Sequence, residues 1–208
     1  MKNSYIGQAW LVLALALCFG AALAGVESAL KERIAANKLA ATVEQIPSLV
    51  EGSDLAKSRA AAREPVPITV GKGSLARTYQ VYRAIAADDR QVGWVVKADG
   101  KGFADKIELL VGVSPRALTI TGLYILDQKE TPGLGNKITE TDFLWPFSSG
   151  NLTVGRPLIV VTGASPNVDD NEIKAVAGAT ISSKSVCAIV NDALCPEMQK
   201  KLAAARKK

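Results

Sequence analysis

From residue 3 to residue 26 the chain carries no charged side chain, and this run constrains everything that follows it. As an α-helix these 24 residues would span about 36 Å, enough to cross the hydrocarbon core of a bilayer. Two readings fit. The run is a membrane anchor, or it is a cleaved secretory signal with Lys2 as the basic start, 10–17 as the apolar region and Ala22-Leu23-Ala24 as the cleavage box. Charge does not set the topology, because Lys2 and the amino terminus precede the run while Lys31, Arg33 and Lys38 follow it. The run is expected to be the anchor, over 1–26.

Beyond it the apolar period changes twice. Leu30, Ile34, Leu39, Val43 and Ile46 recur at near-helical spacing that stops at Pro47, which predicts a juxtamembrane helix. With a linker at 60–63 this makes up 27–63. Four runs, 78–86, 92–97, 107–113 and 118–126, are rich in Val, Ile, Leu and Tyr and bounded by Asp, Gly, Ser or Pro. They predict a meander of antiparallel strands. Another strand is expected at 158–162. The spacing of Ile181, Val186, Ile189, Val190 and Leu194 predicts a helix over 181–194. The domain at 64–199 is thus expected to be α+β, an antiparallel-rich sheet with flanking helices, followed by a basic tail over 200–208.

Composition narrows the chemistry. The 208 residues include no histidine, which removes Ser-His and Cys-His catalysis, His-ligated haem and the common His-containing zinc sites. Three cysteines fall short of the four thiolates of an ordinary iron–sulfur cluster, and Cys18 lies inside the apolar run. No metal site and no catalytic side chain are expected, and any redox chemistry needs an organic cofactor. Cys187 and Cys195 would sit about 12 Å apart in one straight helix, so they can pair only if it ends before Cys195, which Pro196 permits.

The formal charge of +5 comes from Lys200, Lys201, Arg206, Lys207 and Lys208; the other 20 basic and 20 acidic side chains balance. Charge confined to a tail is not the footprint of a nucleic-acid surface, and no such partner is expected.

Two segments can carry function. In Glu130-Thr131-Pro132-Gly133-Leu134-Gly135, Pro and Gly at the second and third positions suit a type II turn. The same segment suits a ligand: Gly133 and Gly135 let a flat ring approach the backbone at Leu134, and Glu130 and Thr131 offer polar edges. In Ala177-Gly178-Ala179-Thr180, small residues leave Thr180 uncrowded where a loop enters the last helix. A helix start offers unpaired amides to an anion, although capping by Thr180 or Ser182 is the commoner role for a hydroxyl at this point.

Together these segments resemble the FMN-binding domains of the Rnf G subunit and of the C subunit of the sodium-translocating NADH:quinone reductase. The order of features matches: an N-terminal span, a following helix, Lys101-Gly102-Phe103 before a strand, the 130–135 loop, then Gly178-Ala179-Thr180. The resemblance implies FMN attached to Thr180 through a phosphoester. Glu130, Thr131, Gly133, Leu134, Gly135, Ala177, Gly178 and Ala179 would line the flavin, and Ser182 and Ser183 would contact phosphate or cap the helix. It further implies an electron-carrying subunit of an ion-translocating ferredoxin:NAD oxidoreductase, without independent catalysis. That subunit would be partnered by other membrane and peripheral subunits in a bacterial inner membrane, with its domain on the periplasmic side. The sequence departs from the family's flavin-transferase signal at Lys174, usually acidic, and at Ala177, usually Ser or Thr. The quinone-reductase C subunit, a secreted FMN-binding module working alone and a flavin-free structural subunit are the alternatives.

Overall fold

A computed structural model describes residues 3–50, 61–62, 65–73, 76–86, 89–163 and 165–206. Lys2, Ala60 and Arg63 of the expected linker, and Lys207 and Lys208 of the tail lie outside the described residues.

The chain divides into two units, Met1–Ala41 and Thr42–Lys208. The first contains most of helix α1, Asn3–Val50, which is long and apolar enough to cross a membrane. Its large side chains, Trp10, Leu17 and Phe19 among them, are exposed. The helix does not stop at Pro47, which lies inside it. Proline removes one amide hydrogen bond, but packing of an apolar face outweighs local propensity. Ile46, Leu49 and Val50 are buried, and Ser48 Oγ donates to the Gln45 carbonyl at 2.7 Å.

The second unit is built on a sheet. Strands β3 (Arg77–Ile85), β4 (Gln91–Lys101), β5 (Lys106–Val113) and β6 (Ile120–Asp127) pair antiparallel in chain order, as the four apolar runs predict. Strands β1 (Ala61–Ala62) and β2 (Val66–Val70) both pair with β3 and complete a six-stranded sheet. Neither is evident in the sequence. β1 has two residues, and β2 contains Pro67, which the edge of a sheet tolerates and its interior does not.

Successive strand side chains point to opposite faces, and here both faces are covered. Val81, Trp94, Val96, Leu109 and Val111 share one core with helices α2 (Thr141–Ser148), α3 (Thr180–Ala193) and α4 (Pro196–Ala205). Tyr82, Val95 and Leu110 share the other with Ile46, Leu49 and Val50. On the first face α3 lies close to β4: a Cβ at Gly100 would come within 2.6 Å of Ile189 Cγ1.

The predicted helix over 181–194 is α3. The chain breaks after it, and α4 begins at Pro196, a residue suited to a first helical position. Cys187 is buried, Cys195 is half-buried, and both are free thiols. The strand expected at 158–162 is β7 (Ile159–Val161). It pairs in parallel with β8 (Glu172–Lys174), which leads into the segment before α3.

Candidate functional site

The 130–135 loop is a turn, as its Pro-Gly pair predicts. Gly133 has φ +75°, and the Leu134 N–H donates to the Thr131 carbonyl at 3.2 Å, as the third and fourth positions of a type II turn require. The turn does not compete with a ligand role. It exposes Leu134 and feeds Gly135 into a short 3-10 helix, Gly135–Thr139, that packs beside α3.

At the start of α3, Gly178 has φ +78°, a left-handed conformation that glycine adopts without steric cost, and it turns the chain into the helix. The cap position is Ala179, which has no capping side chain. The first intrahelical bond runs from the Ser183 N–H to the Ala179 carbonyl at 2.9 Å. The amides of Thr180, Ile181 and Ser182 therefore meet no acceptor among the described residues. Neither hydroxyl that could cap the helix does so. Ser182 Oγ donates to Glu130 Oε2 at 2.6 Å, and Thr180 Oγ1 makes no hydrogen bond to a described residue.

Between these two segments lies a cavity of about 310 Å³, at the lower end of the range for small-molecule sites. One wall is Thr131, Leu134 and Gly135; the other is Gly178, Ala179, Thr180 and Ser182; exposed Phe103 and Ile181 complete it. Seven of the residues singled out from sequence thus meet at one place. Glu130 is not at the surface of the cavity but buried behind it. Gly133 and Ala177 are exposed and outside the lining. Ser183 is buried, and its Oγ donates to the Ala179 carbonyl at 2.9 Å while accepting from the Val176 N–H at 3.1 Å, so its one proton is spent inside the fold.

Phe103 and Ile181 join the lining without having been expected there. The signal for Phe103 is an aromatic directly after Gly102 between two strands. Ile181 belongs to the apolar pattern of a helix, which reads as core, yet its place on the first turn of α3 leaves it exposed.

Residues 102–195 match the FMN-binding domain family. Every residue lining the cavity falls inside that matched region. The chain is 32% identical over 113 residues to the G subunit of the ion-translocating oxidoreductase complex of Methanosarcina acetivorans, covering 54% of this chain and 55% of that protein. It is 37% identical over 101 residues to the G subunit of the Na(+)-translocating ferredoxin:NAD(+) oxidoreductase complex of Acetobacterium woodii, covering 48% and 46%. The chain therefore spans about half the length of the curated relatives it matches. Its fold is that of NqrC from Shewanella oneidensis, with a TM-score of 0.57 at 23% identity over 76% of this chain and 78% of that one. The resemblance and the α+β architecture expected from sequence are both found.

The cavity, which lies inside the matched region, fits the chemistry of FMN. Three unpaired amides at the α3 N-terminus suit a phosphate, favoured there by the positive end of the helix dipole. Phe103, Leu134 and Ile181 give an apolar surface for a planar ring, and the turn at Gly135 presents backbone without a side chain between them.

Proposed function

We propose that this chain is the electron-relaying flavoprotein subunit of an Rnf-type ion-translocating ferredoxin:NAD oxidoreductase, with FMN attached through a phosphoester to Thr180. The observation that carries the reading is the Thr180 hydroxyl, unengaged by any described residue, at an uncapped helix start that opens on the cavity. Bound FMN supplies the redox chemistry, accepting and passing electrons on its isoalloxazine ring. The protein contributes placement. Thr180 fixes the phosphate end, the amides of Ile181 and Ser182 neutralise its charge, and Thr131, Leu134 and Phe103 hold the ring end against the turn. Helix-end electrostatics contribute only about 0.3–2 kcal/mol, too little to retain a dissociable cofactor where none is replenished. A covalent ester removes that loss.

Placement in the bacterial inner membrane, through the charge-free part of α1 and with the domain on the outer side, follows from the same reading. The partners are the membrane and peripheral subunits of such a complex, which would hold the nucleotide and iron–sulfur sites. The fold is shared with NqrC, and a quinone-reductase C subunit from Pasteurella multocida is 35% identical over 92 residues, but that match spans only 34% of its length, against 55% and 46% for the two G subunits, which favours Rnf over the quinone-reductase C subunit.

Mass measurement of the peptide containing Thr180, from protein matured in its native host, tests the attachment. The mass of the peptide plus FMN less one water supports it, as does a denatured band that fluoresces under ultraviolet light and goes dark in Thr180→Val. An unmodified peptide, or a Thr180→Val protein that keeps its flavin after denaturation, sinks it. Co-purification with subunits of a ferredoxin:NAD rather than a quinone reductase decides between the two complexes.

A further inference from the structure

A carboxylate is costly to bury unless donors take up its lone pairs. Glu130 is only 4% exposed, and both of its oxygens are engaged. Oε1 accepts from the Phe103 N–H at 2.8 Å and from the Ala104 N–H at 3.1 Å, and Oε2 accepts from Ser182 Oγ at 2.6 Å. One side chain therefore ties together three segments distant in sequence: the β4–β5 turn, the 130–135 loop and the first turn of α3. These are the segments that form the cavity walls.

The surroundings are shaped to this carboxylate. A Cβ at Gly102 would come within 2.2 Å of Oε1, and one at Gly135 within 2.8 Å of Oε2. Among the described residues no lysine or arginine forms an ion pair with Glu130, so its charge is met by hydrogen-bond donors alone. A charge so held, in a setting where water is excluded, acts on its neighbours more strongly than one at the surface.

We propose that Glu130 is a positioning residue for the flavin with a second, electrostatic effect: it fixes Phe103 and the α3 start around the cavity, and its negative charge opposes the gain of negative charge by the ring. The proposal rests on the reading that the cavity holds FMN. It differs from a purely structural role by predicting a change in potential when the charge is removed and the shape is kept.

Glu130→Gln keeps the shape. Its amide oxygen can still accept from Phe103 and Ala104, while its NH2 can donate to Ser182 Oγ. Glu130→Asp, one methylene shorter, keeps the charge but cannot span all three donors; Glu130→Ala removes both properties. Two readouts on the full-length chain separate these effects. Hydrogen exchange of the Phe103 and Ala104 amides is measured in a flavin-free Thr180→Val background. Roughly tenfold or faster exchange is expected with Asp or Ala at 130, because each lost bond to a charged group gives up a protection of about that size, and little change is expected with Gln. Potentiometric titration of the flavin-carrying protein is expected to give a higher midpoint for Glu130→Gln than for the natural chain.

Unchanged exchange in both Glu130→Asp and Glu130→Ala overturns the proposal, and so does a Glu130→Gln midpoint equal to that of the natural protein. If Glu130→Ala does not fold, Glu130→Asp decides the exchange result. Natural protein without any flavin defeats the FMN reading instead, while exchange still shows whether Glu130 holds the three segments together.

Discussion

Thr121 Oγ1 donates a 2.6 Å hydrogen bond to the Leu49 carbonyl oxygen, so a strand side chain closes the last turn of α1. Carbonyls at the end of a helix have no intrahelical partner, and this one is satisfied from 72 residues away in sequence. The neighbouring strand makes room for it: a Cβ at Gly112 would come within 2.0 Å of the same Leu49 oxygen. The helix end is thus seated on the sheet by one bond and one missing side chain.

Thr121→Val should remove the bond at a cost of about 1 kcal/mol, lowering the melting temperature by roughly 2–4 °C. Gly112→Ala should cost more, about 1–3 kcal/mol, because the obstructing atom is backbone and cannot rotate away. Thermal unfolding of the detergent-solubilised chain checks both. A Gly112→Ala protein as stable as the natural one would show that the helix end is not seated there.

At the site, Gly135 and Gly178 are glycines for different reasons, and their alanine variants should differ. A Cβ at Gly135 would come within 2.8 Å of both Glu130 Cβ and Oε2, in a buried setting with no room to yield. A Cβ at Gly178 would meet only the end of the Leu134 side chain, at 3.0 Å, but in a left-handed backbone that costs an L-residue about 1–2 kcal/mol. With the flavin held by the proposed ester, neither variant should release it; Gly135→Ala should instead shift the absorption spectrum of the bound flavin, because its Cβ crowds the cavity wall, whereas Gly178→Ala should lower stability with a smaller spectral change. The visible absorption maxima, read beside the melting temperature, distinguish them.

Burial also gives the fold a pH dependence. The Cys187 thiol, on the buried face of α3, is pushed up to about 12 from an ordinary value of 9.0 by desolvation. The unfolded chain releases this proton from pH 9.0 upward, while the folded chain holds it until about pH 12. The stability linked to this group is therefore complete below pH 9.0 and is lost as the pH rises through the window to about 12. Tyr79 and Tyr82 are raised by desolvation too, Tyr79 against the opposing hydrogen bond and charge of Arg77, so the cysteine must be isolated by substitution. Denaturant midpoints at about pH 8 and about pH 10.5 should diverge less in Cys187→Ala than in the natural chain. Equal divergence would remove Cys187 from the account.

The sheet was legible because alternating burial writes itself into apolar runs: β3 to β6 follow from Val, Ile, Leu and Tyr between turn residues. The site was legible only as two segments. Their meeting depends on Glu130 reaching Ser182 across 52 positions, which no local pattern records. Glu130 itself reads as a polar loop residue, because burial of a carboxylate shows only once its donors at Phe103, Ala104 and Ser182 are in place. Pro47 misled in the opposite direction. A local helix breaker was overridden by the packing of Ile46, Leu49 and Val50, a tertiary effect invisible in the helical period.

Lys174 and Ala177 bear on how completely the flavin is attached. Lys174 ends β8, Ala177 precedes Gly178, and both are exposed beside the turn that presents Thr180. In the family that this chain resembles, an acidic residue usually stands at the first place and Ser or Thr at the second, in the segment recognised by the flavin-attaching enzyme. Substitutions at exposed positions away from special features usually change stability by no more than about 0.5 kcal/mol. A change in flavin load at these positions therefore reports recognition rather than folding. The doubly substituted Lys174→Asp, Ala177→Ser chain, co-expressed with a flavin transferase, should carry FMN on a larger fraction of molecules than the natural sequence, measured by intact mass. Equal fractions would mean that the enzyme reads the shape of the Gly178 turn and the exposure of Thr180, and that the two departures are neutral for attachment.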